Sequence, residues 1–283
     1  MKAKTILLTG GSGFLGKHLL EHFKNYNFKI TTGTRSIEQS KKNGFVYLNI
    51  ENKDSIMSLK NYKSFDCIVH LAAKVDFMSE TDQSLHAANV QSVECLVELA
   101  KIWKSQLIFT SSALIAGTKS EYVSSNTPDD PDVPYTRTKM LAEKIIKDSQ
   151  ISYCILRVAG IFGNNGPAHL GINNAIDKAI KGIGPIQYGS GLAKRNYIYV
   201  NDVAKAIIYA INNRLTGTHI TSGSDSISIA SMMEFICNAL CPNETVTVNT
   251  GIEASSQVFK SSELLTKTLC FSDALIDIKN SLK

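Results

Sequence analysis

Tyr135 and Lys139, in the run YTRTK, are the side chains whose types and spacing best suit chemistry. They stand four positions apart on a stretch with helical periodicity, so both project from one face about one turn apart. An ammonium beside a phenol stabilises the phenolate, so the Tyr pKa should fall toward the working pH. Tyr135 then donates or accepts the proton of a carbonyl/alcohol pair. In a chain with ten Tyr and 25 Lys the same spacing also arises by chance, so its meaning depends on the elements around it.

The first of those elements is KTILLTGGSGFLGKHLL, residues 4–20. Ile6, Leu7 and Leu8 read as a short buried strand, Thr9-Gly10-Gly11 as a tight turn, and Phe14, Leu15, Leu19, Leu20 and Phe23 as the apolar face of a helix. Gly10 suits the turn, Gly13 the close approach of a pyrophosphate, and Gly16 the packing of helix on strand. The helix start aims free N–H groups and its positive dipole end at the turn, which suits an anion. A dinucleotide is the natural guest, and a glycine-rich surface turn is the competing reading. A second strand, residues 29–34, ends on Gly33-Thr34-Arg35-Ser36. A carboxylate there would hold a ribose 2′-hydroxyl, whereas Arg35 suits a 2′-phosphate, so NADP is expected, with NAD as the alternative. The competing reading of Arg35 is a solvated loop residue.

Strand patterns continue at 45–48, followed by Asn49-Ile50, at 65–73, at 106–110 and at Tyr153–Val158, with helical patterns at 55–59, 83–101 and 135–147. The apolar run at 65–73 suits a strand covered on both faces, and its last residues, Ala72 and Ala73, let a flat cofactor lie close. The strand at 106–110 runs into Ser111-Ser112-Ala113. Ahead of Tyr135, Asp132 is a plausible helix cap and Pro134 suits the first turn. Strict alternation of strand and helix predicts an α/β fold, a doubly wound parallel sheet of Rossmann type. Beyond Arg157 the pattern loosens into glycine-rich loops with helices at 172–181, 203–212 and Ile229–Leu240. The expected division is a dinucleotide-binding domain over 1–157 and a smaller α/β substrate-binding region over 158–283, interleaved with the first.

The 283 residues are 43% hydrophobic and 19% charged, the composition of a globular protein. A net charge of +5 without a basic run argues against nucleic acid as a partner. Six Cys lack metal-ligand spacing and the acidic run at 129–132 has no His near it, so no metal is expected, and the thiols suit a reducing compartment. No apolar stretch approaches the length of a membrane span and no signal-like segment precedes the first strand, so a cytoplasmic protein without membrane attachment is expected.

In chain order, TGGSGFLG (9–16), HLAA (70–73), Asn89-Val90, TSSA (110–113), YTRTK (135–139), LRVAGIFG (156–163) and RNYIYVNDVAKAI (195–207) together resemble the extended short-chain dehydrogenase/reductase family, the NAD-dependent epimerase/dehydratases. The resemblance spans nearly the whole chain. It implies catalytic roles for Ser112, which hydrogen-bonds the reacting oxygen, for Tyr135 as acid/base and for Lys139, which binds the nicotinamide ribose and tunes the Tyr. It implies dinucleotide contacts at Gly10, Gly13, Phe14, Leu15, Arg35, Asn49, Ile50, Leu71, Ala72 and Ala73, besides Tyr135 and Lys139. Substrate contacts are implied at Lys74, Ser112, Ala113, Asn164 and Arg195, the last on the diphosphate of a nucleotide sugar, unless Arg195 pairs with Asp202. A homodimer through helices 83–101 and 135–147 is also implied.

Departures from the family narrow the reaction. The acidic pair that dehydratases carry after the catalytic Ser/Thr is replaced by Ala113 and Leu114, which cannot exchange protons. Dehydration is therefore not expected, nor is the decarboxylase branch, which needs a Glu at the second position. Ala116 stands where Tyr is usual, and Gly160 where many epimerases place an Asn on the substrate phosphate. The expected activity is reduction of a nucleotide-linked 4-keto-6-deoxyhexose, with a nucleotide-sugar 4-epimerase retaining NAD as the alternative and an inert dinucleotide sensor as the reading from another class.

Overall fold

A computed structural model describes residues 3–78, 83–168, 170–251, 253–263 and 267–282. The chain divides into two compact units. The first comprises residues 1–118, 128–157 and 204–219, the second residues 119–127, 158–203 and 220–283. One break thus falls between Arg157 and Val158, while residues 119–127 and 204–219 each belong with the opposite half of the chain.

Seven strands form the main sheet: β1 (Lys4–Thr9), β2 (Phe28–Thr34), β3 (Phe45–Tyr47), β4 (Cys67–His70), β5 (Gln106–Ser112), β6 (Tyr153–Val158) and β7 (Gly217–Thr221). Their order is β7-β6-β5-β4-β1-β2-β3, and the pairings β1 with β2, β1 with β4, β2 with β3 and β4 with β5 are parallel. Strand order therefore reverses direction on either side of β1, the place where open parallel sheets bind ligands. Ile6, Leu7, Leu8, Ile68, Val69, Leu107 and Ile108 are fully buried, as continuous apolar strands covered by helices on both faces must be.

Three helices of the first unit flank or carry the expected site residues. Helix α1 (Phe14–Phe23) follows the glycine turn, α2 (Ser92–Trp103) buries Val93, Leu96, Leu99 and Ala100 in the core, and α3 (Pro134–Asp148) carries Tyr135 and Lys139. The amphipathic stretch at 83–101 is not one uniform helix: Gln83–His86 is α-helical, Ala87–Gln91 is a π turn, and α2 follows. Asp132 does not cap α3; Val133 takes that position, and the Asp132 carboxylate accepts from the backbone N–H of Thr118 at 3.1 Å. The strand expected over 65–73 ends at His70, because Leu71 and Ala72 turn to donate to the Thr9 carbonyl and hydroxyl at 3.3 and 3.2 Å.

In the second unit, helices Gly171–Ile180, Ile229–Leu240 and Phe271–Ser281 pack with short ladders, Ile161–Phe162 beside Ile198–Tyr199 and Ile186–Tyr188 beside Thr247–Asn249. The six cysteines are free thiols, Cys270 partly exposed and the others buried. Among the described residues no helix is long and apolar enough to cross a membrane.

Candidate active site

The glycine turn works by close approach of backbone. Gly10 has φ +74°, and a Cβ on it would lie 2.7 Å from the Ala72 nitrogen. A Cβ on Gly16 would lie 2.1 Å from the Gly10 carbonyl oxygen, so the helix can sit on the turn only without one. No side chain caps the start of α1 at Gly13, whose backbone is extended there. The first N–H groups of the helix are thus available to an anion.

This turn opens into a cleft of about 460 Å³ lined by Gly10, Ser12, Gly13, Gly33, Thr34, Arg35, Leu48, Ile50, Glu51, Leu71, Ala72, Ala73 and Lys74, among others. The size falls in the range of ligand pockets. Its floor is tied by Thr9, whose hydroxyl accepts from the Ala72 N–H at 3.2 Å and meets His70 Nδ1 at 2.7 Å. That pattern assigns the Thr9 proton to Nδ1 and leaves His70 Nε2–H toward Ser92 Oγ, 3.5 Å away. Burial, helped by the nearby Lys139, pushes His70 down to about 3, so it is a neutral tie. A glycine cradle under an uncapped helix end, with a flat alanine wall and a cation at the far end, fits a dinucleotide.

The cleft gathers Gly10, Gly13, Arg35, Ile50, Leu71, Ala72 and Ala73 of the expected cofactor set, and also Lys74, expected on the substrate. Lys74 Nζ donates to Ser84 Oγ. Phe14, Leu15, Asn49, Tyr135 and Lys139 are not on its lining: Phe14 packs edge-on to His18 at 5.4 Å, and Asn49 donates its N–H to Ser55 Oγ at 2.9 Å. Sequence reasoning missed Glu51. It stands two positions past Asn49, and the structure brings its carboxylate-bearing residue to the same cleft as Arg35, both exposed.

The end of β5 and the start of α3 carry the side chains expected to react. Ser112, 7% exposed, accepts the Leu114 N–H at 3.2 Å, which leaves the hydroxyl proton for another acceptor. Lys139 is 2% exposed; its Nζ donates to the Thr110 carbonyl at 2.9 Å and sits 4.5 Å from the Phe109 ring centre and 5.8 Å from that of Tyr135. Phe77 lies 5.7 Å from the Tyr135 ring. Tyr135 does not have the lowered pKa expected from the sequence. Burial pushes it up to about 12, and burial also pulls Lys139 down to about 7 against the opposite pull of Glu143. Desolvation outweighs the ammonium because Nζ is bound to a backbone carbonyl rather than to the phenol.

A buried network supports α3. Glu143, 1% exposed, accepts from Arg157 Nε at 2.9 Å and Nη2 at 2.7 Å and from Lys147 at 2.8 Å. Arg157 also grips both oxygens of Asp129 at 2.6 and 2.8 Å. These bonds hold the guanidinium firmly charged although burial opposes it. Asn89, in the π turn, reaches the Lys74 backbone at 2.9 and 2.8 Å and the Thr138 hydroxyl at 3.0 Å.

In the second unit a cavity of about 210 Å³ is lined mainly by apolar and aromatic side chains, including Ile172, Ile186, Tyr188, Tyr197, Ile229, Met232 and Met233, with Lys178. Tyr197 also explains Gly160: a Cβ there would lie 2.5 Å from the Tyr197 ring, so no side chain fits at that position. Ala113 and Ala116 are buried in the first unit. Arg195 and Asn164 belong to the second unit. Arg195 Nη1 donates to the carbonyls of Ser255 and Lys194, and Asp202 accepts from the Leu269 N–H at 2.7 Å.

Residues 6–223 match the model of the NAD dependent epimerase/dehydratase family. The chain is 28% identical over 250 residues, 82% of its length and 81% of the relative's, to a Methanocaldococcus jannaschii protein that carries the provisional name UDP-glucose 4-epimerase. It is 23% identical over 253 residues, 85% and 82% of the two chains, to CDP-abequose synthase of Salmonella typhimurium. The fold matches the crystal structure of UDP-N-acetylglucosamine 4-epimerase from Bacillus cereus with a TM-score of 0.84, at 24% identity and over 99% and 100% of the two chains.

Proposed function

The chain belongs to the NAD dependent epimerase/dehydratase family, and from that premise we propose that it transfers a hydride to the keto group of a nucleotide-linked sugar, as a reductase of a 4-keto-6-deoxyhexose. One observation carries this reading. Ser112, Tyr135 and Lys139 are all present, while Ala113 and Leu114, directly after Ser112, offer no group able to move a second proton. A carbonyl carbon gains a hydride and its oxygen one proton, and nothing remains to expel a hydroxyl. The names of the relatives, a UDP-glucose 4-epimerase and CDP-abequose synthase, support a nucleotide sugar as substrate.

The bound dinucleotide supplies the hydride. Tyr135, kept protonated by burial up to about 12, hands its phenolic proton to the oxygen that becomes the alcohol. Ser112 donates its hydroxyl hydrogen to the same oxygen and fixes its position. Lys139 holds the ribose and lowers the cost of the phenolate that forms on Tyr135. Arg35 favours NADP, which a reductase consumes. The second reading, a 4-epimerase with retained NAD, rests on Glu51, a carboxylate able to hold a ribose 2′-hydroxyl from the same cleft.

The purified protein, denatured and analysed by mass spectrometry, should release no nucleotide, and it should oxidise NADPH with nucleotide-linked 4-keto sugars. Tyr135→Phe should slow that oxidation by about a thousandfold. Released NAD with interconversion of UDP-glucose and UDP-galactose would establish the epimerase instead, and turnover unaffected by Tyr135→Phe would overturn the mechanism. The reading includes a cytoplasmic homodimer, which light scattering showing a monomer would contradict.

A further inference from the structure

Among the charged residues of helix α3, Glu143, one turn beyond Lys139, is buried as Lys139 is, 1% and 2% exposed. The other described groups that meet Lys139 are neutral. From β5 it meets the Thr110 carbonyl and the Phe109 ring, from α3 the Tyr135 phenol, and across from β4 the imidazole of His70, which burial keeps uncharged. Among the described residues Glu143 is the one carboxylate whose field is felt at the Lys139 ammonium, and it opposes the loss of the proton.

Glu143 is itself held in place by two cations. Arg157 binds both of its oxygens and Lys147 a second time one of them, while the outer edge of Arg157 is taken by Asp129. Asp129 begins the segment that leads into α3, and that segment is tied to the chain following Ser112 through the Asp130 N–H on the Ile115 carbonyl, at 2.9 Å, and through Thr118 on Asp132. One network therefore runs from the loop after Ser112 to the turn of helix behind Lys139.

We propose that Glu143, kept ionised and oriented by Arg157, is a positioning residue that holds the buried Lys139 in its ammonium form and so sets the upper pH limit at which the chain binds and uses its dinucleotide. The inference rests on the reading of Lys139 as the ribose-binding partner of Tyr135. A carboxylate one turn along the same helix favours the charged form of the ammonium. Removing the negative charge while keeping the shape should loosen the ammonium's hold on its proton.

The test reads dinucleotide affinity rather than turnover. NADPH and NADH fluorescence on binding to the full chain is followed from about pH 5 to 9 for the wild type, Glu143→Gln, Glu143→Asp, Asp129→Asn and Lys139→Met. The wild type should lose affinity as pH rises, and Lys139→Met should show no such loss. Glu143→Gln should lose affinity at least about one pH unit earlier, and Glu143→Asp should restore the wild-type midpoint. Asp129→Asn, at the partly exposed end of the network, should shift the midpoint the same way by less, because Arg157 is then less neutralised. If circular dichroism shows that Glu143→Gln does not fold, Asp129→Asn decides. A wild-type midpoint in the folded variants, with Lys139→Met flat, overturns the inference alone. A Lys139→Met profile like the wild type overturns the assignment of Lys139 and the inference with it.

Discussion

The cleft of the first unit and the cavity of the second are built by different means. The cleft is shaped by backbone: Gly10 at φ +74° against the Ala72 amide, the uncapped start of α1, and a floor tied by Thr9 and His70. The cavity is shaped by side chains, with Ile172, Tyr188, Tyr197, Met232 and Met233 among those that form its walls. Backbone geometry tolerates almost no substitution, whereas a wall of side chains is remade by exchanging one residue for another. Under the function proposed above, the dinucleotide end is the fixed part of this protein, and the choice of substrate is the part left to vary.

Gly10→Val tests the first half of that contrast and should have the largest effect. The new Cβ has no room, and its backbone conformation is one that β-branched residues avoid at a cost of about 1–3 kcal/mol before any clash. NADPH affinity, followed by fluorescence, should fall by about a hundredfold or more in a protein whose circular dichroism is unchanged. Binding at the wild-type level would show that the cleft is not built by the backbone after all.

Much of the first unit was legible because its constraints are local. The glycine turn between Leu8 and Phe14, the helix carrying Tyr135, and the strand Tyr153–Val158 each follow from spacing within one element. What was not legible depends on contacts distant in sequence. Asp132 has the right position for a helix cap, but Thr118 engages it from 14 residues away. Nothing in the sequence links Glu143, Arg157 and Asp129, which the fold brings together across separations of 14 and 28 residues. The π turn at Ala87–Gln91 hides because its apolar pattern serves either helix type. The direction of the Tyr135 shift depends on burial, which no local spacing reveals. The cavity of the second unit was least legible, since its walls are ordinary apolar residues from segments far apart.

Ala175→Leu tests the other half. Ala175 is 6% exposed and lines the cavity of the second unit, so a larger side chain removes space from it. Each methylene of misfit in an apolar pocket costs about 1–3 kcal/mol, and KM for the nucleotide-sugar substrate should rise by about tenfold or more. Dinucleotide affinity should stay within about twofold of the wild type. Loss of dinucleotide binding in the same variant would show that the two regions cannot be altered separately.

The smallest expected effect lies at the far end of the cleft, where the contrast between the two regions becomes finer. Arg35 and Glu51 are exposed side chains, unlike the backbone at Gly10, so each acts through solvent and is screened by salt. Arg35→Ala should weaken NADPH binding by about fivefold and leave NADH unchanged, while Glu51→Gln should relieve repulsion of the 2′-phosphate and shift the balance toward NADPH by a similar factor. Both effects should shrink as ionic strength rises from 0.05 to 0.5 M, read in parallel fluorescence titrations. The dinucleotide cleft then contains both kinds of construction, a phosphate end fixed by backbone and a ribose end set by two exchangeable side chains. An unchanged ratio of the two affinities in both variants would assign cofactor choice to the backbone as well, and would leave the cavity of the second unit as the one region of the pair open to variation by substitution.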